Sequence, residues 1–161
     1  MPTDMTPPAA PGRPGTICPA LARLYRPFEP FAWPAIRIAA GACLVPHGAQ
    51  KMFGAFGGRG LAATMEGFGR TGFEPGWLWG FLVAGTEFFG GLLIALGLLT
   101  RPAAFAAAVL MAVALTRHLD RGFFWGQGGW EYPAMWLVVL AAIAVRGGGR
   151  FSLDRAIGRE F

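Results

Sequence analysis

Several ionisable side chains lie within or at the ends of the long apolar stretches of this chain. A membrane segment that faces lipid rarely carries such residues. A carboxyl group, an ammonium group and imidazoles can together exchange hydrogen bonds and protons near neutral pH. Because a charged group facing lipid at the bilayer centre costs at least ~2.5 kcal/mol, such residues face protein or water. We therefore interpret five of these residues as candidate ligand-binding residues. They are His47, Lys51, Glu87, His118 and Glu131.

The first apolar stretch places its basic groups on one side of a helix. On a helical wheel of ~100° per residue, Lys51 lies ~40° and His47 ~80° from Arg37. Gly41 and Gly48 lie in or beside the same sector, so this face is both polar and small. The pattern predicts a face that contacts protein or water and not acyl chains.

Glu87 is the one ionisable residue of the second apolar stretch and is placed near its middle. Counting 1.5 Å per residue from Trp77 puts the carboxyl group ~15 Å deep. A carboxyl group at that depth stays protonated unless a cation lies beside it. If the first two helices pack face to face, Glu87 reaches His47 or Arg37. We predict an intramembrane ion pair between Arg37 and Glu87, with an interhelical lock that only fixes register as the structural alternative.

Composition favours an integral membrane protein. The chain of 161 residues is 54% hydrophobic and 14% charged, whereas soluble domains have about 25% charged residues. Its net charge of +5 comes from basic residues beside apolar runs without a nucleic-acid recognition motif, so no nucleic-acid partner is expected. Cys18 and Cys43 form no disulfide framework, and no spacing of cysteine and histidine predicts a metal site.

The apolar stretches predict an all-α fold, a four-transmembrane-helix bundle. More arginines and lysines lie on the side of the two chain ends, so the positive-inside rule predicts both termini in the cytoplasm. The glycine-rich connection after the first span is expected to contain a short interfacial helix, and Ser152 or Asp154 to cap a helix near the C-terminus. The predicted spans are about residues 34–53, 77–99, 102–118 and 130–145 of a membrane domain at 33–146, between a disordered proline-rich cytoplasmic tail (1–32) and a basic C-terminal tail (147–161).

With this topology, Lys51, His118 and Glu131 lie at the outer ends of their helices, whereas His47 lies deeper and Glu87 lies near the midplane. Together the five candidates form a polar cup open to the outer leaflet. Lys51 and Glu131 can alternatively extend to the lipid headgroups from the helix ends. Haem ligation by His47 and His118 is disfavoured because the two residues start at different depths. No covalently bound cofactor is implied.

Four sequence motifs together resemble the DoxX family of small four-helix bacterial membrane proteins. The resemblance covers about residues 34–155, most of the chain, and is specific as a set. The motifs are Arg37-x-x-x-Gly41, His47-Gly48-x-x-Lys51, the run that begins at Glu87 (EFFGGLLIALGLLTRPAA) and the closing GGGRFSLD.

The resemblance implies the bacterial inner membrane and an association with quinone-linked oxidoreductase complexes, including a small subunit of a thiosulfate and quinone system, or with thiol-stress defence. It implies at most an oxidoreductase subunit that lacks its own electron carrier, with a quinone or similar small amphipathic molecule as the ligand of the polar cup. A protein partner or homo-oligomer is then expected, besides membrane lipids. The alternatives are a non-catalytic structural or assembly subunit, and a small-molecule transporter, which four spans could form only as an oligomer.

Overall fold

A computed structural model describes residues 17–160, and every regular element within that range is helical. This agrees with the predicted all-α class. Short 3-10 turns connect several of the helices. The helices are α1 (Pro19–Tyr25), α2 (Glu29–Phe53), α3 (Gly60–Arg70), α4 (Gly76–Gly85), α5 (Gly91–Leu96), α6 (Thr100–Thr116), α7 (Glu131–Arg146) and α8 (Leu153–Ala156), with a π-helical segment, Thr86–Gly90, between α4 and α5.

Helix α2 is longer than the predicted first span. It begins at Glu29 and continues through both Pro34 and Pro46. Together with α1 and the 3-10 turn between them, it forms a helical stretch of 34 residues, Ala20–Phe53. The predicted disordered tail is therefore wrong for residues 19–32, which are helical, and its first part, residues 1–16, lies outside the described residues.

The second long helix contains the π-helical segment and continues through it without a break. It runs from Gly76 to Leu96 over 21 residues, close to the predicted span of 77–99. Gly97 ends it in a left-handed conformation with φ +71°, which glycine adopts without steric cost. A Cβ atom at Gly97 would also lie 2.5 Å from Nη1 of Arg37, so the position excludes larger residues for a second reason.

Small residues bring α2 against the second long helix. A Cβ atom at Gly41 would lie 2.4 Å from the carbonyl oxygen of Gly91, and one at Gly48 would lie 2.2 Å from the backbone nitrogen of Phe88. Such backbone-to-backbone approach is the packing that membrane helices use in place of a hydrophobic driving force. The two contacts define an antiparallel register in which Glu87 lies opposite Gly48.

The remaining helices complete the core at one end of the molecule. Helix α6 packs along α7, and α3 packs along α4 as the predicted short helix of the glycine-rich connection.

Two helical stretches, residues 20–53 and 76–96, are long and apolar enough to cross a membrane, and α6 is a shorter apolar helix of 17 residues. The core side chains are Ala40, Leu44, Ile94, Ala103, Ala104, Ala107, Ala108, Leu140 and Ile143.

The C-terminal segment packs against the helices and is not a free tail. Ser152 caps α8 by accepting a hydrogen bond from the backbone N–H of Arg155 at 3.2 Å, as the sequence predicted for one of two residues. Phe151 stacks on Phe31 with ring centroids 5.3 Å apart. The predicted basic tail thus forms a short helix and makes tertiary contacts, and its last residue lies beyond those described.

Candidate functional site

Glu87 forms an ion pair with Lys51 between the two long helices. The Nζ atom of Lys51 lies 2.5 Å from Oε2 of Glu87, and the exposed fractions of the two side chains are 32% and 7%. Glu87 belongs to the π-helical segment, which adds a residue to the helical turn and is often found at functional sites. The carboxylate is therefore held inside the protein by a cation that itself reaches the surface.

Within residues 17–160, Arg37 is bonded to carbonyls and not to Glu87, so the predicted ion pair between these two residues is wrong. Its guanidinium donates hydrogen bonds to the carbonyl oxygens of Ile94 at 2.6 Å, Ala95 at 2.8 Å and Phe151 at 2.6 Å. The antiparallel register explains the difference, because Ile94 lies about 10 Å along the helix from Glu87. Arg37, 1% exposed, thus ties α2 to the end of α5 and to the C-terminal segment.

Asp154 completes the polar cluster at this end of the molecule. Its carboxylate accepts hydrogen bonds from the backbone N–H of Leu99 at 2.7 Å, the N–H of Thr100 at 3.0 Å and the Thr100 hydroxyl at 2.7 Å. Burial by itself raises the pKa of Asp154, but these hydrogen bonds and the charge of Arg37 outweigh it and hold the pKa below its usual value. Asp154 therefore caps the start of α6 in its ionised form.

A cavity of about 220 Å³ lies between α2, α6 and α7. Its lining includes four of the five predicted ligand-binding candidates: His47 and Lys51 from α2, Glu87 from the π-helical segment and His118 from the turn after α6. The structure therefore brings these four together around one space, as the cup hypothesis requires. The other lining residues are Cys43, Leu44, Leu110, Met111, Ala114, Trp125, Tyr132, Pro133 and Trp136.

Glu131, the fifth candidate, does not line this cavity. Its side chain is exposed, and its Oε2 accepts a hydrogen bond from the backbone N–H of Trp125 at 3.1 Å. Glu131 begins α7, so the carboxylate also interacts favourably with the N-terminal end of the helix dipole. The residue thus orients the loop beside the cavity and is not placed to contact its occupant.

The hydrogen bond of His118 identifies which of its ring nitrogens is available. Nδ1 lies 2.6 Å from the carbonyl oxygen of Gly128, and because a carbonyl only accepts, Nδ1 carries a proton. In the neutral imidazole, Nε2 is then an acceptor with a free lone pair. This geometry makes His118 suitable for taking a proton from a group in the cavity.

Aromatic side chains form one wall of the cavity, which the sequence analysis did not identify. Trp125 stacks on Tyr132 with ring centroids 4.7 Å apart, and Tyr132 lies 6.0 Å from Trp136. The indole Nε1 of Trp136 is buried and has no hydrogen-bond partner among the described residues. Tyr132 and Trp136 are four residues apart and share a helix face, and this spacing was the available signal.

Residues 17–160 contain no cluster of three or more histidine, cysteine, aspartate or glutamate side chains that could hold an ion. His47 and His118 both line the cavity, but Glu87 in the same cavity is paired with Lys51. The polar residues of the cavity are therefore available as hydrogen-bonding and proton-exchanging groups.

The fold and the cavity define a helical membrane protein that holds charged side chains between its helices. The chain belongs to the DoxX family, whose model matches residues 32–119, so the predicted membership is confirmed. The matched region includes Lys51, Glu87 and His118, whereas the aromatic wall of α7 lies beyond it.

A relative in Haemophilus influenzae, described only as an uncharacterized protein, is 31% identical over 78 residues. The match covers 48% of this chain and 52% of the relative, so the chain spans about half the length of that relative. No solved structure matches the chain at a significant level.

Proposed function

We propose that this DoxX-family protein binds the polar end of a quinone-like molecule in the cavity and serves as a subunit of a quinone-linked oxidoreductase complex. The observation that carries the proposal is the combination of the Lys51–Glu87 pair, two imidazoles and an aromatic wall around one space of about 220 Å³. Ligand sites of this kind are mostly apolar with a few convergent polar groups. Electron transfer to and from the quinone is assigned to a partner protein.

The proposal places the protein in the bacterial cytoplasmic membrane with four crossings and both termini inside. Helix α6 has 17 residues and α7 has 16, which correspond to about 26 Å and 24 Å. These lengths are slightly below the ~30 Å of the hydrocarbon core, a difference that untilted helices and local thinning of the bilayer accommodate. Aromatic residues at the cavity end then lie at the level of the headgroups.

The donor and acceptor groups of the cavity fit a molecule that carries carbonyl oxygens. Among the described residues, the buried N–H of Trp136 has no acceptor, and the partly exposed ammonium group of Lys51 has donors beyond the one used by Glu87. An unsatisfied buried donor costs about 1–3 kcal/mol, which a carbonyl oxygen would recover. When bound, a quinone supplies the redox chemistry, while Nε2 of His118 and the carboxylate of Glu87 would exchange protons with it.

Binding can be measured with a quinone that has no tail. The protein in lipid nanodiscs is titrated with 2,3-dimethoxy-5-methyl-1,4-benzoquinone, and the quenching of tryptophan fluorescence is followed. We expect saturable quenching, with an affinity at least tenfold weaker in Trp136→Phe and Glu87→Gln, or about 1.4 kcal/mol. Trp77→Phe is the matched control, since Trp77 is exposed and does not line the cavity. Equal affinity in all four proteins would contradict the proposal.

A structural or assembly role is the second candidate, and the directness of the Lys51–Glu87 contact favours it. A pair at 2.5 Å between two helices in a glycine-rich interface is suited to fixing their register. Under this alternative, Glu87→Gln lowers the melting temperature and leaves quinone titrations of the variant and the parent identical. The same pair of measurements therefore separates the two candidates.

A further inference from the structure

The two ends of the cavity are both covered by side chains. Toward the chain termini, Leu44, Ala108 and Leu140 from three helices belong to the closed core. At the opposite end, the ring of Trp125 stacks on Tyr132 and lies 5.7 Å from the ring of His118. An occupant that entered along the helix axes would have to displace one of these groups.

The side of the cavity between α2 and α7 is covered less well. Helix α2 packs along the π-helical segment and α5, whereas α6 packs along α7, so the cavity lies where two helix pairs meet. On α2, Cys43 and His47 line the cavity and are exposed. Lining residues of α6, such as Met111 and Ala114, are by contrast at most partly exposed. The exposed lining residues of the helices therefore lie on α2, at one edge of the gap, and the loop residue Trp125 is exposed as well.

Depth identifies what lies outside this gap. Cys43 precedes Lys51 by eight residues, which is about 12 Å further along the helix axis from the polar end of α2. In a helix that crosses the bilayer, this position faces acyl chains and not water. The neighbouring exposed side chains, such as Ala42 on α2 and Met135 on α7, are also apolar.

We propose that the gap between α2 and α7 is a lateral opening to the bilayer, with Cys43 and His47 on one edge and Tyr132 and Trp136 on the other. The ligand class that fits is an amphiphile whose polar ring occupies the cavity and whose long apolar tail leaves through the gap into the acyl chains. This inference rests on the proposed function and adds to it the route of entry and the requirement for a tail.

The test compares two probes that share a ring and differ in the tail. The tail-less benzoquinone used above and its decyl derivative are titrated against the protein in nanodiscs, with free concentration in the lipid phase taken into account. In Cys43→Trp the indole obstructs the gap and also takes space in the cavity that Cys43 lines, so both probes should bind more weakly. We expect the decyl probe to lose at least tenfold more affinity than the tail-less probe. Ala42→Trp is the matched control, because Ala42 is exposed on α2 but does not line the cavity.

The possible results of this test distinguish the lateral opening from ligand binding in the cavity. Equal effects of Cys43→Trp on both probes, or no effect on either, overturn the lateral opening while the cavity remains a binding site. Failure of both probes to bind the parent protein overturns the proposed function and the opening together.

Alkylation of Cys43 gives an independent measurement that does not need a bulky substitution. In Cys18→Ser, Cys43 is the one remaining thiol, since the chain has two cysteines. We expect the decyl probe to slow its reaction with N-ethylmaleimide at least threefold, and the tail-less probe to leave the rate within experimental error. The same rate with both probes would show that no tail passes Cys43.

Discussion

Lys51 and Glu87 differ in exposure, and this difference determines the effect of removing either one. Glu87 is 7% exposed and Lys51 is 32% exposed, so the lysine can reach solvent without its partner but the carboxylate cannot. We expect Lys51→Met to lower the free energy of unfolding by about 3 kcal/mol, because it leaves a buried carboxylate unpaired. Glu87→Gln should lower it less. Thermal unfolding in a mild detergent, followed by circular dichroism, gives both values.

The pair Arg70 and Glu66 on α3 provides the control for this comparison. Both side chains are largely exposed, at 75% and 61%, and exposed pairs contribute about 0–1 kcal/mol. Arg70→Met should therefore leave the melting temperature nearly unchanged. A Lys51→Met protein as stable as Arg70→Met would show that the Lys51–Glu87 contact contributes no more than a surface pair.

Asp154 makes the stability of the protein depend on pH at the acidic end. Its pKa in the folded protein lies below the value of about 3.9 expected in the unfolded chain. Its stabilising contribution is therefore fully present above that unfolded value and is lost as pH falls through the folded pKa.

Asp154→Asn removes this contribution along with the charge. We expect a loss of about 1–3 kcal/mol at pH 7, and a difference from the parent that shrinks as the pH is lowered from 5 toward 3. Urea titrations in detergent at several pH values provide the measurement. Asp120→Asn, at an exposed loop position, is the control for loss of one charge. A difference that stays constant with pH would mean that the hydrogen bonds of Asp154 do not depend on its ionisation.

The sequence predicted which polar residues lie between the helices, but it did not predict which of them form a pair. An isolated Glu87 within an apolar stretch indicates a buried carboxylate by composition alone. Its partner depends on the vertical register of two helices, which is set by the contacts of Gly41 and Gly48 with backbone atoms of the second helix. Helical-wheel angles give the face of a residue but not the position of its neighbour along the axis. The prediction therefore selected Arg37 on the correct face and at the wrong height.

At the scale of helices, Gly48 controls how closely α2 approaches the π-helical segment. A Cβ atom at this position would lie 2.2 Å from the nitrogen and 2.5 Å from the Cα atom of Phe88, both backbone atoms that cannot rotate away. Gly48→Ala should therefore push the helices apart and lower the free energy of unfolding by about 2 kcal/mol. The Lys51–Glu87 pair one turn away would lengthen as well.

Gly67 in α3 is the matched control for the same chemical change. Nothing lies within 4 Å of the Cβ atom that Gly67→Ala would add, so the gain in helix propensity should raise stability by about 0.5–1 kcal/mol. Opposite signs for the two variants, measured by thermal unfolding, are the expected result. If Gly48→Ala stabilised the protein, α2 and the π-helical segment would have to be further apart than the contact of Gly48 with Phe88 implies.

The helices themselves were largely predictable from the sequence. The exceptions depend on packing and on contacts between residues far apart in the chain. Apolar runs indicate α6 and α7 to within two residues. The π-helical segment has no sequence signal, because its i to i+5 hydrogen bonds form in response to packing. The sequence predicted the basic charge of the C-terminal segment and a cap for a short helix, but not that Asp154 and the carbonyl of Phe151 satisfy groups on other helices. Such long-range hydrogen bonds leave no periodic pattern.

For the whole molecule, the proposed four-crossing arrangement predicts which side of the membrane each connection faces. The connections that follow α2 and α6, residues 54–75 and 117–130, should lie outside, and the chain ends should lie inside. Reporter fusions test this in a bacterial host, with alkaline phosphatase active only outside and a fluorescent protein fluorescent only inside. We expect phosphatase activity for fusions after Gly72 and Asp120, and fluorescence for one at the C-terminus. Phosphatase activity after Gly72 but not after Asp120 would show that α6 and α7, the two shorter helices, do not cross, and the cavity would then lack the bilayer that the lateral opening requires.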